Sequence, residues 1–107
     1  MIIVNVIPER LQRYPTEGDY FMLHNVLHVA ISKSNFIYEM GVLMHELGEW
    51  ALCMERGISI ESIDKWDMDH PELEDPGSHE DAPYHAEHMF MLDWETNFVE
   101  EIRRKTC

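Results

Sequence analysis

The sequence predicts an α+β fold: a small N-terminal antiparallel sheet of two or three strands packed on a long central helix, then a short helix and a long C-terminal helix. Three observations carry this. β-branched and alternating apolar runs are confined to the first 31 residues, a proline-free stretch of helical period follows from Asn35 to Arg56, and another begins at Pro83. A chain of 107 residues has room for one core, so residues 1–107 are read as a single domain.

Ile2 to Ile7 is β-branched and almost continuously apolar, which suits a buried strand, and Pro8 ends it. Tyr20–Leu23 and Val26–Ile31 read as two strands joined by a tight turn at His24-Asn25. Leu27, Val29 and Ile31 alternate with Val26, His28 and Ala30, the pattern of a half-covered antiparallel sheet. Ser32 or Ser34 stands where it can cap the helix from Asn35 to Arg56, and Gly57 stands where that helix would end. Its main apolar stripe is Phe36, Met40, Leu43, Leu47, Trp50, Ala51 and Met54. The other side holds Tyr38, Val42 and Leu52 with the small Gly41 and Gly48, and a helix apolar on two sides is expected to be covered on two sides. Ser59 caps a short helix from Ile60 to Met68. Asp69 to Asp81 is acidic and holds Pro71, Pro76 and Gly77, as a surface loop does, and Pro83 opens a last helix running to about Lys105.

Eight Lys and Arg stand against twenty-one Asp and Glu, a formal charge of -13 that repels polyanions and argues against a nucleic-acid partner. The same field attracts cations, and seven His among so many carboxylates make a metal ion the expected partner. Cys53 in a helix and Cys107 at the last position do not make a disulfide framework. No stretch approaches a membrane span, and Met1 to Ile7 lacks the length and basic flank of a signal peptide, so a cytoplasmic protein is expected.

The strongest chemical signal is His45-Glu46-Leu47-Gly48-Glu49. Residues four apart stack on one helix face, so His45 and Glu49 can ligate one metal from successive turns with Glu46 beside it. On the last helix His88 and Glu95 fall in the middle of the apolar face formed by Tyr84, Met91, Leu92, Phe98, Val99 and Ile102. Two inward polar groups are costly unless paired or ligated. Asp64 and Asp67 of the short helix flank its packing face, and Asp67 is the better ligand candidate. Two His with one or two carboxylates favour zinc, or another divalent transition metal. With one coordination position left to water, Glu46 could act as general base in metal-assisted hydrolysis.

These residues resemble a known family. Arg13-Tyr14-Pro15-Thr16 with Gly18-Asp19-Tyr20, the His45-Glu46-Leu47-x-Glu49 motif, Cys53 with Arg56-Gly57-Ile58, Asp64, Asp67, Pro76-Gly77, and Ala82-Pro83-Tyr84-x-x-Glu87-His88 with Glu95 look like a family of small uncharacterised proteins from bacteria and their phages. The resemblance spans most of the chain and implies that Glu87, His88 and Glu95 matter more than His85. A looser similarity is to zincin metallopeptidases, in which a strand precedes a helix bearing His-Glu-x-x-His; here Glu49 replaces the second histidine. That similarity implies a zinc-ligand role for His45 and a base role for Glu46. A third, to all-α pyrophosphohydrolases with Glu-x-x-Glu pairs, is matched by Glu46 and Glu49 alone, and the leading strands stand against it.

The leading expectation is a zincin-like metal protein with His45, Glu49 and His88 as ligands, Asp67 or Glu95 completing or supporting the site, and Glu46 as base. The alternative is a non-catalytic acidic interaction module in which the same cluster is a structural metal site or a buried polar core. A chain this small with three Trp and eight Met also has reason to bury surface against a protein partner or in a homodimer.

Overall fold

In the computed structural model, which describes residues 1–106, the chain opens with strand β1 (Ile2–Ile7) and a single 3-10 turn at Glu9–Leu11. Strands β2 (Gly18–Leu23) and β3 (Val26–Ser32) then form a hairpin. His24 and Asn25 turn it with φ of 51° and 63°, the two positive values that a two-residue turn matched to strand twist requires. Helices α1 (Phe36–Glu55), α2 (Ile60–Asp69) and α3 (His85–Thr106) follow, with a 3-10 turn at Pro76–Ser78 between the last two. The α+β class, the three strands and the three helices are as expected from the sequence. Cys107 falls outside the described residues, and Cys53 is buried and free. Among the described residues no helix is long and apolar enough to cross a membrane.

The sheet itself differs from expectation. It is mixed, with order β1-β3-β2: β2 pairs antiparallel with β3, but β1 pairs parallel to it, Ile2 beside Leu27 and Ile7 beside Ser32. The cause is the segment from Pro8 to Glu17, which carries the chain past the β3 position to the far edge, so that the hairpin returns β3 between the other two strands. A buried β1 was also expected, whereas Ile2, Val4 and Val6 are 50%, 42% and 44% exposed at the sheet edge.

Helix α1 lies across β2 and β3. Asn35, rather than Ser32 or Ser34, caps it by accepting from the Tyr38 N–H. Its C-terminus closes through Gly57 at φ 73°, with the Ile58 N–H on the Cys53 carbonyl and the Gly57 N–H on the Met54 carbonyl. The face it buries is not the expected stripe. Glu39, Gly41, Val42, His45, Glu49 and Cys53 are buried, while Leu43, Leu47 and Trp50 are only partly covered and Phe36 is 71% exposed. The sheet and α3 press on α1 from two sides, and the line between those contacts carries its polar residues. Gly41 and Gly48 admit α3 closely: a Cβ at Gly41 would lie 3.1 Å from Val99, and one at Gly48 2.3 Å from Met91. Tyr20, Leu27, Val29, Ile31, Val42 and Cys53 fill the core between sheet and helices, joined by Ile63 and Tyr84.

Candidate metal centre

His45 and Glu49 sit one turn apart on the buried line of α1, and His88 enters from the first turns of α3 to meet them. His45 Nε2 lies 2.9 Å from Glu49 Oε2, His88 Nδ1 lies 2.9 Å from the same oxygen, and the two nitrogens are 3.3 Å apart. Ligand atoms around a tetrahedral zinc stand roughly 3.3–3.4 Å from one another. The three groups would therefore move apart by only a few tenths of an ångström to admit the ion. Among the described residues they are the three side chains gathered closely enough to share one.

The outward nitrogens are held as well. His45 Nδ1 is 2.9 Å from Glu95 Oε1, close enough for an ion pair although the ring N–H is not aimed for a straight hydrogen bond. His88 Nε2 is 3.1 Å from Asp75 of the acidic loop. A carboxylate on the far nitrogen fixes the tautomer and leaves the near nitrogen's lone pair for a metal. Tyr20 of β2 donates its hydroxyl to Glu49 Oε1 at 2.9 Å, so Glu49 too is oriented from behind.

Without a metal the trio is an ion-pair network. Burial opposes charge on His45, but Glu49 and Glu95 outweigh it and raise its pKa to about 10. Burial likewise opposes charge on His88, and Asp75 and Glu49 raise it to about 9. Burial would raise Glu49, yet the two histidine contacts hold it below the ordinary carboxylate range. Glu46 goes the other way: burial, then the charge of Glu49, pushes it well above that range.

A cleft of about 670 Å³ opens onto these groups. Glu46 lines it, pressed against Gly18, where a Cβ would come within 2.7 Å of its Oε1. Asp67 lines it too but lies outside the trio, accepting from Tyr84 at 2.5 Å and Tyr14 at 3.2 Å. Burial raises Asp67 to about 6 despite those two donors. Glu95 stands behind His45 as a support, and Asp64 pairs with Arg13 at 3.1 Å. Arg13 also grips Asp19 at 2.8 and 2.9 Å and so pins the segment that carries Tyr14 over the cleft. Glu87 fastens α3 to the end of α1 through Arg56 at 2.6 Å. His85 bonds the Gly77 carbonyl and takes no part in the trio.

Reading the sequence alone misses Asp75, Tyr20, Tyr14 and Tyr84 as parts of this site. Tyr14, Tyr20 and Tyr84 stand among the residues on which the resemblance noted in the sequence rests, the one signal that could have marked them. No protein-family model, curated protein or solved structure matches the chain.

Proposed function

We propose that the protein binds a divalent transition metal, zinc first, through His45, Glu49 and His88, and that the loaded site is a zincin-like hydrolytic centre with Glu46 as general base. The observation that carries this reading is the buried trio whose two histidines each hold a carboxylate on the outward nitrogen, the arrangement that readies imidazoles for a metal. Zinc bound there would supply a Lewis acid that brings the pKa of water to about 7. Glu46 adjoins the first ligand, lines the cleft and has no hydrogen-bond partner among the described residues, so its carboxylate is placed to take a proton and pass it on. A dication nearby reverses the field that raises Glu46 and lets it ionise. The passage of β3 directly into α1, which bears His45 and Glu46, supports the zincin resemblance. Ten carboxylates and no Lys or Arg line the cleft, which favours a neutral or cationic substrate over a phosphate ester. The proposal includes a cytoplasmic setting, where Cys53 stays reduced.

One observation favours a second reading. The inward nitrogens of His45 and His88 and the Oε2 of Glu49 are hydrogen-bonded to one another without an ion, as in a structural centre of a non-catalytic interaction module.

Elemental analysis of protein purified without chelator, beside His45→Ala and His88→Ala, separates these possibilities. Near-stoichiometric zinc in the wild type, lost in both variants, is expected, and no metal even after reconstitution would overturn the assignment. Glu46→Gln should then retain zinc and lose hydrolysis of amide and peptide probes; an unchanged rate would remove Glu46 from the chemistry. A large fall in melting temperature on chelation, with no turnover in any form, selects the structural centre.

A further inference from the structure

Strand β1 is anomalous for a monomer. Ile2-Ile3-Val4-Asn5-Val6-Ile7 carries no charge in a chain of net -13, yet it forms an edge of the sheet with β3 on one side and no described strand on the other. Exposed edges in monomeric proteins are blunted by Lys, Pro, bulges or short length, and β1 has none of these within its six residues. Both of its faces are open. Ile2, Val4 and Val6 align with Leu27, Val29 and Ile31 on the helix side but extend past the cover of the helices, and Ile3 on the other face is 36% exposed.

More apolar surface lies near the C-terminal end of β1. Leu11, 59% exposed, shares a small hollow with Asn5 and Ile7, and Phe36 follows closely on Lys33, whose N–H bonds the Ile7 carbonyl. Ile2, Ile3, Val4, Val6, Leu11 and Phe36 together expose on the order of 600 Å², most of the roughly 800 Å² per partner that a standard interface buries.

We propose that β1 is a homodimer interface, in which two copies pair their β1 strands antiparallel about a two-fold axis through Asn5 and join their sheets into one of six strands. The strand is complementary to itself in that register. Val4 meets Val6 on the helix side, Ile3 meets Ile7 on the other, and the sole polar side chain, Asn5, meets its own copy, amide to amide. Centring the axis on Val4 instead would set Ile3 against Asn5, an apolar group against an unpaired amide. A single polar residue paired with itself selects one register, as a lone buried Asn does in a coiled coil. Pro8, opposite Ile2 of the other copy, has no N–H to donate and ends the ladder there. The axis runs perpendicular to the sheet, so both helical layers lie on one side.

Sedimentation equilibrium of the wild type from about 1 to 100 μM should show a closed dimer. Val4→Lys, which puts a charge on the edge, should shift it to monomer with its helical circular dichroism unchanged. In a Cys107→Ser background, Asn5→Cys should oxidise to a covalent dimer, since directly opposed residues are about 4.5–5.5 Å apart at Cα, within disulfide reach. Val4→Cys, two positions off the axis of its copy, should not. A wild type that stays monomeric throughout, an open-ended series of larger species, or cross-linking through Val4→Cys in preference to Asn5→Cys would each overturn the proposal.

Discussion

A methyl group added at Gly77 would meet the ring of His88. The Cβ would stand 2.5 Å from His88 Cγ, 2.7 Å from the Nδ1 that faces Glu49, and 2.7 Å from a ring carbon of Tyr84. Neither ring can yield freely, because Tyr84 is tied to Asp67 and His88 to Asp75 and Glu49. Gly77→Ala is therefore expected to weaken zinc binding about 10- to 100-fold, as loss of an outer support to a ligand does. It should also cost about 1–3 kcal/mol of stability through overpacking. Competition against a chromophoric chelator reads the first and thermal melting the second; unchanged affinity would mean that the ring shifts without leaving the site. His45, Glu49 and His88 were legible in the sequence because polar groups at helical spacing on an apolar face need a partner. Asp75 was not. It is one of many ionisable residues in the segment from Asp69 to Asp81, and an irregular segment has no periodicity to say which of them turns inward.

At the scale of the element, α1 sets the spacing of the site, and its ends are held by local chemistry. Asn35 caps the first turn, and Gly57 supplies the left-handed residue that closes the last. Asn35→Ala should cost about 1 kcal/mol, and Gly57→Ala, which must hold positive φ, about the same. Both should show in urea titrations, with zinc stoichiometry unchanged, since neither residue touches the trio; lost zinc would mean that the ends of α1 govern its centre. Such caps act within a few residues, which is why the helix ends could be read from the sequence nearly to the residue. The buried face could not. Hydrophobic periodicity favoured the stripe from Phe36 to Met54, but the sheet and α3 bury the narrower line through Gly41, His45 and Glu49, because small residues there permit closer approach than the larger side chains of the stripe. The direction of β1 was equally hidden, since a continuous apolar strand suits parallel or antiparallel pairing and its partner is set by how the chain crosses from Pro8 to Glu17.

For the whole molecule, the histidines couple stability to pH. In the metal-free protein His45 and His88 have pKa values raised to about 10 and about 9, against roughly 6.5 in an unfolded chain. A raised pKa in the folded state contributes stability that is fully present below the unfolded value and is lost as pH rises through the folded one. Metal-free protein should hold this contribution up to about pH 6.5, then lose on the order of a few kcal/mol by about pH 10. Urea titrations at a series of pH values read the loss. The same series on a His45→Gln, His88→Gln variant supplies the control, because Tyr14, Tyr20 and Tyr84, all raised by burial, begin to contribute as pH approaches 10. Zinc bound as proposed would invert the trend: it would take the place of the protons and expel them, so the stability gained from zinc should grow between pH 6 and pH 8.5. A metal-free stability that stays flat from pH 6.5 to 9.5 would mean that the imidazoles are neutral in the fold, with a network held by neutral hydrogen bonds. The zinc increment would then stop growing above pH 7, so the two slopes measured together report which charge the buried trio carries before the metal arrives.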